Sequence, residues 1–435
     1  MASKLSTQPY RGTRDFLPDE MSVRTQVFSQ LYEVIESYGF ARYDGPILEP
    51  IEIYEAKSGQ ELVNEQLYRL TDRGGRELAL RPEMTPSVAR MIAAHADTMA
   101  FPVRWYCHVN CHRYERPQRG RVREHWQINV DTFGTESLEA EVEIFEMIHR
   151  LFHAVGASTQ DYVLRVSDRN LVQNALASFA DVPDELMKGV FAIIDRWEKY
   201  PLNVQQEALA KLGLSDTQIE RIGQLVTLDF TGYLQIASKE TLAHSNLARI
   251  ITEELIDVPI LFDPLIIRGF EYYTSTVFEV FDTSPDNRRS IFGGGRYDNL
   301  VALFSNRRIP GIGFGMGDVT LFDFLSTHGL LPQPNNSADV CIMPLHPGVR
   351  TTMKQVADEL RAQGIRTVTP LEEHTLSKEI KDAARRGIRL AVILGEEELA
   401  RQHVIVRDLT RSEQVEVPLS ELVGTLKKKL SDPTG

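Results

Sequence analysis

Polar and apolar residues alternate along residues 122–131, with Glu124 as the one exception. Successive side chains of a strand point to opposite faces, so the alternation predicts a strand with one apolar face and one hydrogen-bonding face. The hydrogen-bonding face would carry Arg123, His125, Gln127, Asn129 and Asp131. A second strand-like run, RWYCHVNCHRYE, precedes this one, and a loop containing Pro117 and Gly120 lies between them. The two runs are therefore predicted to form a hairpin.

The charged residues of this hairpin favour a ligand-binding role. The plain alternative is a half-solvated antiparallel strand with a charged loop. Such a surface usually carries lysine and glutamate, whereas the stretch from His112 to Asp131 has no lysine and five arginines: Arg113, Arg116, Arg119, Arg121 and Arg123. Guanidinium groups suit phosphate and stacked bases, where bidentate geometry matters. We therefore predict a phosphate-handling hairpin.

Elsewhere the pattern predicts a mixture of helices and strands. Asp19 is predicted to cap an N-terminal helix, and LYRLTD and ELALRPE around a glycine turn predict a second hairpin. Thr85 is predicted to cap the next helix, which has Pro86 at its first position. The chain is almost wholly helical from Asn170 to about Asp257, with Ser215 as a helix cap, before strand character returns.

The C-terminal part has its own pattern. Residues 330–338 form a Pro/Asn/Ser linker, and beyond it apolar strands alternate with helices. This alternation predicts a small parallel-sheet domain. The domain lacks the glycine fingerprint of dinucleotide-binding folds.

Composition restricts the classes of function. With 42% hydrophobic and 25% charged residues the chain is globular, and it has no apolar run of membrane-spanning length and no secretory pattern at its start. Its three cysteines give no disulfide framework, so we expect a soluble cytoplasmic protein without a membrane partner. The net charge is −14 over residues 1–339 and +1 over residues 340–435, which allows nucleic acid to bind only at chosen places.

The segment CHVNCH, from Cys107 to His112, suggests a metal site at first sight. Adjacent Cys and His residues point to opposite faces of a strand, so they cannot both face one ion without distortion. We interpret the cysteines as packing residues.

Several motifs resemble the histidyl-tRNA synthetase family of class II aminoacyl-tRNA synthetases. The hairpin sequence ERPQRGR, followed by Gln127, resembles the second class II signature in the form this family has. The segments LRPEMTPSVAR, LIIRGFEYYTSTVFEV and GGGRYDNL resemble further family motifs, and IPGIGFGMGD resembles the third class II signature. The C-terminal segments ADVCIMPL and VIVRDL resemble the family's anticodon-binding domain. The resemblance covers nearly the whole chain.

The resemblance implies a fold and a domain order. The fold class is α/β, with an α+β catalytic core that consists of an antiparallel sheet and flanking helices. The core is expected in two parts, 1–169 and 258–329, around a helical insertion at 170–257. The linker at 330–338 would lead to an anticodon-binding domain at 339–435.

The resemblance also implies the reaction and its partners. The expected activity is the ATP-dependent ligation of L-histidine to tRNA(His) through a histidyl-adenylate, with Mg²⁺ as a charge partner for ATP. The expected assembly is a homodimer. One alternative is a catalytically silent paralogue, the regulatory subunit of ATP phosphoribosyltransferase, although that protein lacks the C-terminal domain. Another is a non-enzymatic RNA-binding protein.

The resemblance assigns roles to individual residues. Arg113 and Arg268 are the expected catalytic residues, acting on the α-phosphate. The expected histidine-binding residues are Glu83, Met84, Thr85, Arg113, Gln127, Asp131, Arg268, Tyr272, Tyr273 and Tyr297. ATP would be bound by Arg113, Arg121, His125 and Arg268. The tRNA acceptor end would be met by Arg116, Gln118 and Arg123, and no metal ligand is assigned.

Three positions depart from the family pattern. The usual arginine of the third signature is Thr320, and the aromatic residue that normally stacks on adenine is His125. In the family these two groups usually lie on either side of the adenine ring. In this chain both of them are replaced. Either Arg296 or Arg307 is a candidate for the missing cation. Asp131 replaces the usual glutamate and keeps the carboxylate.

Overall fold

The structure is a computed structural model that describes residues 5–55, 62–253, 258–267, 272–287 and 289–432. Arg268, which the sequence assigns to catalysis and to histidine and ATP binding, lies outside the described residues. The chain divides into two units. One is formed by Met1–Phe16 and Arg24–Pro332, and the other by Leu17–Val23 and Gln333–Gly435.

The elements of the larger part follow one another in chain order. They are α1 (Pro18–Ser37), β1 (Ala41–Arg42), β2 (Leu48–Pro50), α2 (Glu52–Glu55), β3 (Arg69–Thr71), β4 (Glu77–Leu80), α3 (Thr85–His95), β5 (Val103–His112), β6 (Glu124–Phe133), α4 (Glu139–Ala154), β7 (Tyr162–Asp168), α5 (Arg169–Ser178), α6 (Asp184–Ile194), α7 (Leu202–Lys211), α8 (Asp216–Leu225), α9 (Phe230–Ile236), α10 (Lys239–His244), α11 (Asn246–Thr252), β8 (Ile260–Phe262), β9 (Thr276–Asp282), β10 (Ser290–Arg296), β11 (Gly311–Gly317) and α12 (Asp318–Thr327).

The C-terminal elements form a separate sheet with helices. They are β12 (Val340–Pro344), α13 (Arg350–Ala362), β13 (Thr367–Val368), α14 (Leu376–Arg385), β14 (Leu390–Leu394), α15 (Glu396–Ala400), β15 (His403–Asp408), β16 (Glu413–Pro418) and α16 (Leu422–Leu430). The strand order is β13-β12-β14-β15-β16. The first three strands are parallel as predicted, whereas β15 and β16 are antiparallel, so the sheet is mixed. A short turn joins β15 to β16 without a helix, and such a turn permits only antiparallel pairing.

The central sheet carries the predicted fold class. Its order is β1-β5-β6-β11-β10-β9-β7-β8. The pairs from β5 to β7 are antiparallel, which confirms the predicted antiparallel sheet with flanking helices. The outermost pairs, β1–β5 and β7–β8, are parallel. Parallel neighbours need a crossover connection, and helices α5 to α11 lie between β7 and β8 in the chain.

Strand β6 confirms the alternation predicted for it. Ile128 and Val130 pack into the main core with Phe28 of α1 and Phe145 of α4. The predicted hairpin is also present, since β5 pairs with β6 along its full length. The loop between them is closed by hydrogen bonds between the backbones of Gln118 and Arg121.

Local predictions had mixed outcomes. The second hairpin is confirmed as β3 and β4, and Ser215 caps α8 in a capping box with Gln218. Thr85 is not the cap that was predicted, because α3 begins at Thr85 itself and Met84 is the N-cap without a side-chain hydrogen bond. No helix among the described residues is long and apolar enough to cross a bilayer.

The interpretation of the cysteines as packing residues is confirmed for β5. Cys107 and Cys111 are fully buried in a cluster with Met84 and Val109. Burial raises the pKa of both thiols to about 12, so they are neutral at physiological pH.

A buried ion pair joins helix α4 to strand β10. The Arg296 guanidinium donates to the Glu141 carboxylate from Nε at 2.7 Å and from Nη2 at 2.5 Å. Asn246 of α11 and Thr276 of β9 donate to the same carboxylate. One acidic side chain therefore connects the helical segment with the central sheet.

We predict that Glu141→Ala lowers the free energy of unfolding by about 3–5 kcal/mol, because it removes the bidentate partner of a buried guanidinium and leaves Asp298, at 3.5 Å, as its remaining ion-pair partner among the described residues. Chemical denaturation measures this loss. Glu139→Ala is the matched control, since Glu139 is exposed on the same helix, and it should cost less than about 1 kcal/mol. Equal losses in the two variants would contradict a structural role for the pair.

Candidate active site

The polar face of β6 lines a cavity of about 860 Å³. His125, Gln127, Asn129 and Asp131 form its floor. The walls come from the β5–β6 loop, from β9, β10 and β11, and from the single 3₁₀ turn Trp197–Lys199 that follows α6. A volume of this size accommodates a ligand larger than an amino acid.

Glycines in β11 provide the depth of the cavity. A Cβ atom on Gly313 would lie 2.5 Å from Asp131 Oδ1 and 2.8 Å from the Tyr297 hydroxyl. A Cβ atom on Gly315 would lie 2.5 Å from Gln127 Nε2. Any larger residue would therefore displace the polar groups that form the floor.

Asp131 is a buried carboxyl group with unequal oxygens. The Tyr297 hydroxyl donates a hydrogen bond to Oδ1. Oδ2 is buried and accepts no hydrogen bond from any residue that the structure describes. Burial raises the pKa of Asp131 to about 7, although the hydrogen bond from Tyr297 opposes this shift. The free oxygen matches a ligand N–H group.

Three tyrosines cluster beside Asp131. The ring centroid of Tyr272 lies 4.8 Å from that of Tyr273 and 6.0 Å from that of Tyr297. The Tyr272 hydroxyl also donates to Glu83 Oε2 at 3.0 Å. Glu83 is 2% exposed at the entrance to helix α3, so it presents a carboxylate to the cavity where an ammonium group could bind.

Amide and imidazole groups continue the floor toward the hairpin loop. Gln127 Nε2 donates to Asn129 Oδ1 at 2.8 Å, which fixes the orientation of both amides. His125 follows on the same face. Burial and the nearby Arg113 guanidinium lower the pKa of His125 to about 3, so its imidazole is neutral at pH 7.

Guanidinium groups lie at the hairpin end of the cavity. Arg113 donates from Nε to the carbonyl of Pro82 at 3.0 Å, and this contact orients its side chain. Arg121 is exposed and forms an ion pair with Glu115 at 3.5 Å. The cavity thus has an end suited to an amino acid and an end suited to an anion such as phosphate.

Asp318 connects the hairpin with helix α12. Its Oδ1 accepts a hydrogen bond from the Trp126 backbone at 3.0 Å. Its Oδ2 accepts from Arg14 at 2.9 Å and from Arg24 at 2.8 Å. The start of α12 is therefore fixed against β6.

Comparison with known families agrees with this division of the site. The histidyl-tRNA synthetase family model matches residues 12–319, and an anticodon-binding domain model matches residues 339–429. The chain belongs to the histidyl-tRNA synthetase family.

Relatives of this chain carry the family name over almost their full length. A histidine--tRNA ligase from Leptospira biflexa is 39% identical over 433 residues, covering 98% of this chain and 99% of the relative. One from Pyrococcus abyssi is 36% identical over 434 residues, covering 97% and 99%. The crystal structure of histidyl-tRNA synthetase from Nostoc sp. PCC 7120 superposes with a TM-score of 0.82 at 27% identity, covering 98% of this chain and all of that one.

The comparisons also argue against the alternative that the chain is a regulatory subunit of ATP phosphoribosyltransferase. The match to an anticodon-binding domain includes the region that the regulatory paralogue lacks. The relatives named above cover both units of this chain. The interpretation as a catalytically silent regulatory subunit is therefore not favoured.

Most residues that the family resemblance assigns lie together. The cavity described above is lined by Glu83, Thr85, Arg113, Arg121, His125, Gln127, Asp131, Tyr272, Tyr273 and Tyr297. Met84 differs, because its side chain is fully buried in the cluster that contains Cys107.

The residues predicted to meet tRNA lie outside this cavity. Arg116 and Gln118 are exposed on the hairpin loop. Arg123 packs its guanidinium over the ring of Tyr114, at 4.2 Å from the centroid, and donates to the Tyr10 hydroxyl at 2.5 Å. Its charge is thus partly engaged within the protein.

The position of the usual family arginine is filled differently. The Thr320 hydroxyl donates to the Ile291 carbonyl at 2.5 Å, so it is used in local structure. Arg296 is bound to Glu141, and Arg307 forms an ion pair with Asp97 at 2.6 Å. Neither of these two arginines lines the cavity.

Several residues of the cavity wall received no site role from the sequence. They are Glu115, Asn129, Glu279, Arg289 and the residues 195 and 197–199 that follow α6. Asn129 and Glu115 stand on the hairpin, so the alternation pattern alone could have included them. Glu279 and Arg289 lie on or beside distant strands that the sheet order brings to the cavity, whereas residues 195 and 197–199 come from the helical segment.

We predict that Asp131→Asn stabilises the protein increasingly as pH rises. The pKa of Asp131 is about 7 in the fold, above its ordinary value of 3.8, so the native state holds a proton that the unfolded state has released. Wild-type stability should fall from about pH 4 to pH 7, by about 1.4 kcal/mol per pH unit at most. Asparagine has no such proton and still accepts the Tyr297 hydrogen bond.

Urea unfolding at pH 5 and pH 8 measures this effect. The difference between Asp131→Asn and wild type should grow in favour of the variant by about 1–3 kcal/mol over that range. Asp216→Asn, at an exposed helix start, is the control and should show no comparable change. A constant difference would show that Asp131 is already ionised at pH 5.

Proposed function

We propose that this chain catalyses the ATP-dependent attachment of L-histidine to tRNA(His). The observation that supports the proposal is a cavity with a buried carboxyl group at one end, whose second oxygen accepts no hydrogen bond from the described residues, and guanidinium groups at the other end. A histidine side chain suits the first end and a nucleotide triphosphate suits the second. Family membership supports the same reaction.

The first half-reaction needs no nucleophile from the protein. A carboxylate oxygen of histidine attacks the α-phosphorus of ATP, the bond to the β-phosphate oxygen breaks, and histidyl-adenylate and pyrophosphate are formed. Catalysis then depends on alignment and on cations that meet the charge on the phosphate oxygens. Arg113 supplies one such cation, and its contact with Pro82 holds it in position. We assign Arg268 to the same role from the family resemblance.

The second half-reaction transfers histidine to tRNA. A hydroxyl of the terminal ribose attacks the carbonyl carbon of the adenylate, and AMP leaves. Arg116 and Gln118 are exposed at the tip of the hairpin, where they can contact the acceptor end. Arg123 would also contact the acceptor end, with the guanidinium that already packs on Tyr114 and donates to Tyr10. The anticodon-binding match supports a tRNA partner for the C-terminal unit.

Recognition of the imidazole would involve both ring nitrogens. Asp131 offers a buried oxygen that accepts no hydrogen bond from the described residues, and the Tyr273 side chain borders the same space. Glu83, Thr85 and Gln127 would hold the α-amino group, with the Met84 backbone between the first two. A site whose polar groups require partners rejects apolar side chains by large factors, so no separate editing site is required.

Mg²⁺ would enter with ATP. Among the described residues no group of three or more histidine, cysteine or acidic side chains could hold a metal ion alone. Mg²⁺ commonly takes one or two carboxylates together with substrate phosphates, and Glu115 and Glu279 are carboxylates of the cavity wall. Bound there, the ion would neutralise phosphate charge.

We further propose a cytoplasmic homodimer. The location is supported by three free, buried cysteines, Cys107, Cys111 and Cys341. The dimer is supported by the segment ARYDGPILEP, residues 41–50, which resembles the first class II signature, the segment that forms the dimer interface in this family. In that segment Ile47 and Leu48 are 41% and 40% exposed beside a two-residue edge strand.

We predict that histidine alone among the amino acids stimulates exchange of pyrophosphate into ATP. Arg113→Ala should lower the exchange rate by about 10²- to 10³-fold, because one charge-stabilising donor is lost. Arg76→Ala is the control, since this side chain is 81% exposed on the β3–β4 hairpin and should leave the rate unchanged. Absence of exchange with every amino acid would reject the proposed function.

We predict a mass of twice 49.3 kDa by light scattering at micromolar concentration. Ile47→Asp should shift the species toward the monomer, because it places a charge on the exposed apolar segment. Leu371→Asp is the comparison, since Leu371 is also exposed but lies in the C-terminal unit. A monomeric wild type would refute the dimer without affecting the adenylation chemistry.

A further inference from the structure

Arg289 lies at the nucleotide end of the cavity without an assigned role. It immediately precedes β10 and lines the cavity together with Arg121 and Thr320. A Cβ atom built on Gly120 would lie 3.5 Å from Arg289 Cδ and 3.7 Å from Thr320 Cγ2. The side chains of residues 289 and 320 therefore both border the same glycine of the hairpin loop.

Arg289 has no carboxylate partner of its own among the described residues, although Asp286 and Asp323 line a smaller pocket together with it. Arg121 forms an ion pair with Glu115 at 3.5 Å, and Arg119 forms one with Asp323 at 2.9 Å. For Arg289, no carboxylate of the described residues lies within 4.0 Å of the guanidinium. One positive charge at this end of the cavity is therefore left for a ligand.

The protein environment also works against this charge. Arg289 is exposed, and partial desolvation together with the nearby Arg121 guanidinium lowers its pKa, while Glu115 opposes the shift. Arginine stays protonated at physiological pH even so. An anion that has several oxygens and lies between Arg121 and Arg289 would offset the repulsion between these two cations.

Among the described residues, neither Thr320 nor the two arginines considered from the sequence supply a cation here. Thr320 has no charge and uses its hydroxyl in a hydrogen bond to Ile291. Arg296 is 3% exposed and bound to Glu141, and Arg307 is bound to Asp97 away from the cavity lining. The family usually has an arginine at the position of Thr320. Arg289 borders this position and can take the role of that arginine.

We propose that Arg289 and Arg121 together bind the outer phosphates of ATP. This inference rests on the proposed function for the identity of the ligand. It assigns a substrate-binding role to a residue at the start of β10, a segment outside the three class II signatures.

The test compares Arg289→Ala and Arg289→Gln with wild type in histidine-dependent pyrophosphate exchange. Both variants should raise KM for ATP by about 10- to 100-fold, the loss expected for one charge-assisted contact. The KM for histidine should stay within about twofold of the wild-type value, because Arg289 and Asp131 lie at opposite ends of the cavity. Arg289→Lys should recover part of the loss.

Arg308→Ala is the matched control, since Arg308 is an exposed arginine paired with Glu136 outside the cavity, and its KM for ATP should be unchanged. Calorimetric titration adds a binding readout. Affinity for ATP should fall in the Arg289 variants, whereas affinity for AMP, which lacks the outer phosphates, should not.

Two results would overturn the inference: an unchanged KM for ATP in both neutral variants, or equal losses for ATP and AMP, which would indicate a contact with the base, the ribose or the α-phosphate. Failure of the proposed function is distinguishable from both. If wild type showed no exchange but still bound ATP through Arg289, the enzyme assignment would fail and the phosphate contact would stand.

Discussion

From Gln127 to Phe133 strand β6 is buried on both faces, and this constraint organises the larger unit. Its apolar side chains, such as Ile128 and Val130, are held in the main core by helices α1 and α4. Its polar side chains are then forced into the interior of the cavity, where each must find a partner or await a ligand. Gln127 and Asn129 satisfy one another, whereas Asp131 retains a buried oxygen without a hydrogen bond from the described residues. A ligand that donates a hydrogen bond to this oxygen would complete the carboxyl group, and this is the physical basis of the binding site.

Among the described residues, the neighbouring strands place no side chain where it could donate a hydrogen bond to this oxygen of Asp131. Gly313 and Gly315 of β11 face the polar side of β6, and any side chain there would fill the space in front of Asp131 or Gln127. Backbone that carries no side chain contributes little packing energy, so the sheet gives up stability at this point. The buried pair of Arg296 and Glu141 lies at the end of β10 and ties the glycine-rich strands to α4. The cavity is thus kept open by rigid surroundings.

The sequence predicted the features that depend on local periodicity. The β5–β6 hairpin, its two unlike faces and the Ser215 capping box follow from short-range patterns, and the structure has them. It did not predict the parallel outer strands, since β1 and β8 have only two and three residues and pair through long crossovers. The cap at Thr85 was wrong by one residue, because proline at the second position suits a helix that begins at Thr85. Arg289 was missed because only the pairing of β9, β10 and β11 brings it to the hairpin loop.

The nucleotide end of the site follows a different electrostatic logic from the histidine end. The His125 imidazole is neutral, because burial and the charge of Arg113 lower its pKa to about 3. It can therefore stack on a base but cannot attract phosphate. With Thr320 also uncharged, the attraction for a triphosphate must come from guanidiniums that the fold leaves without enough acidic partners. Glu115 is shared between the fields of Arg121 and Arg289, so one carboxylate faces two cations. A chain with a net charge of −13 can hold a polyanion at this place because its positive excess is local.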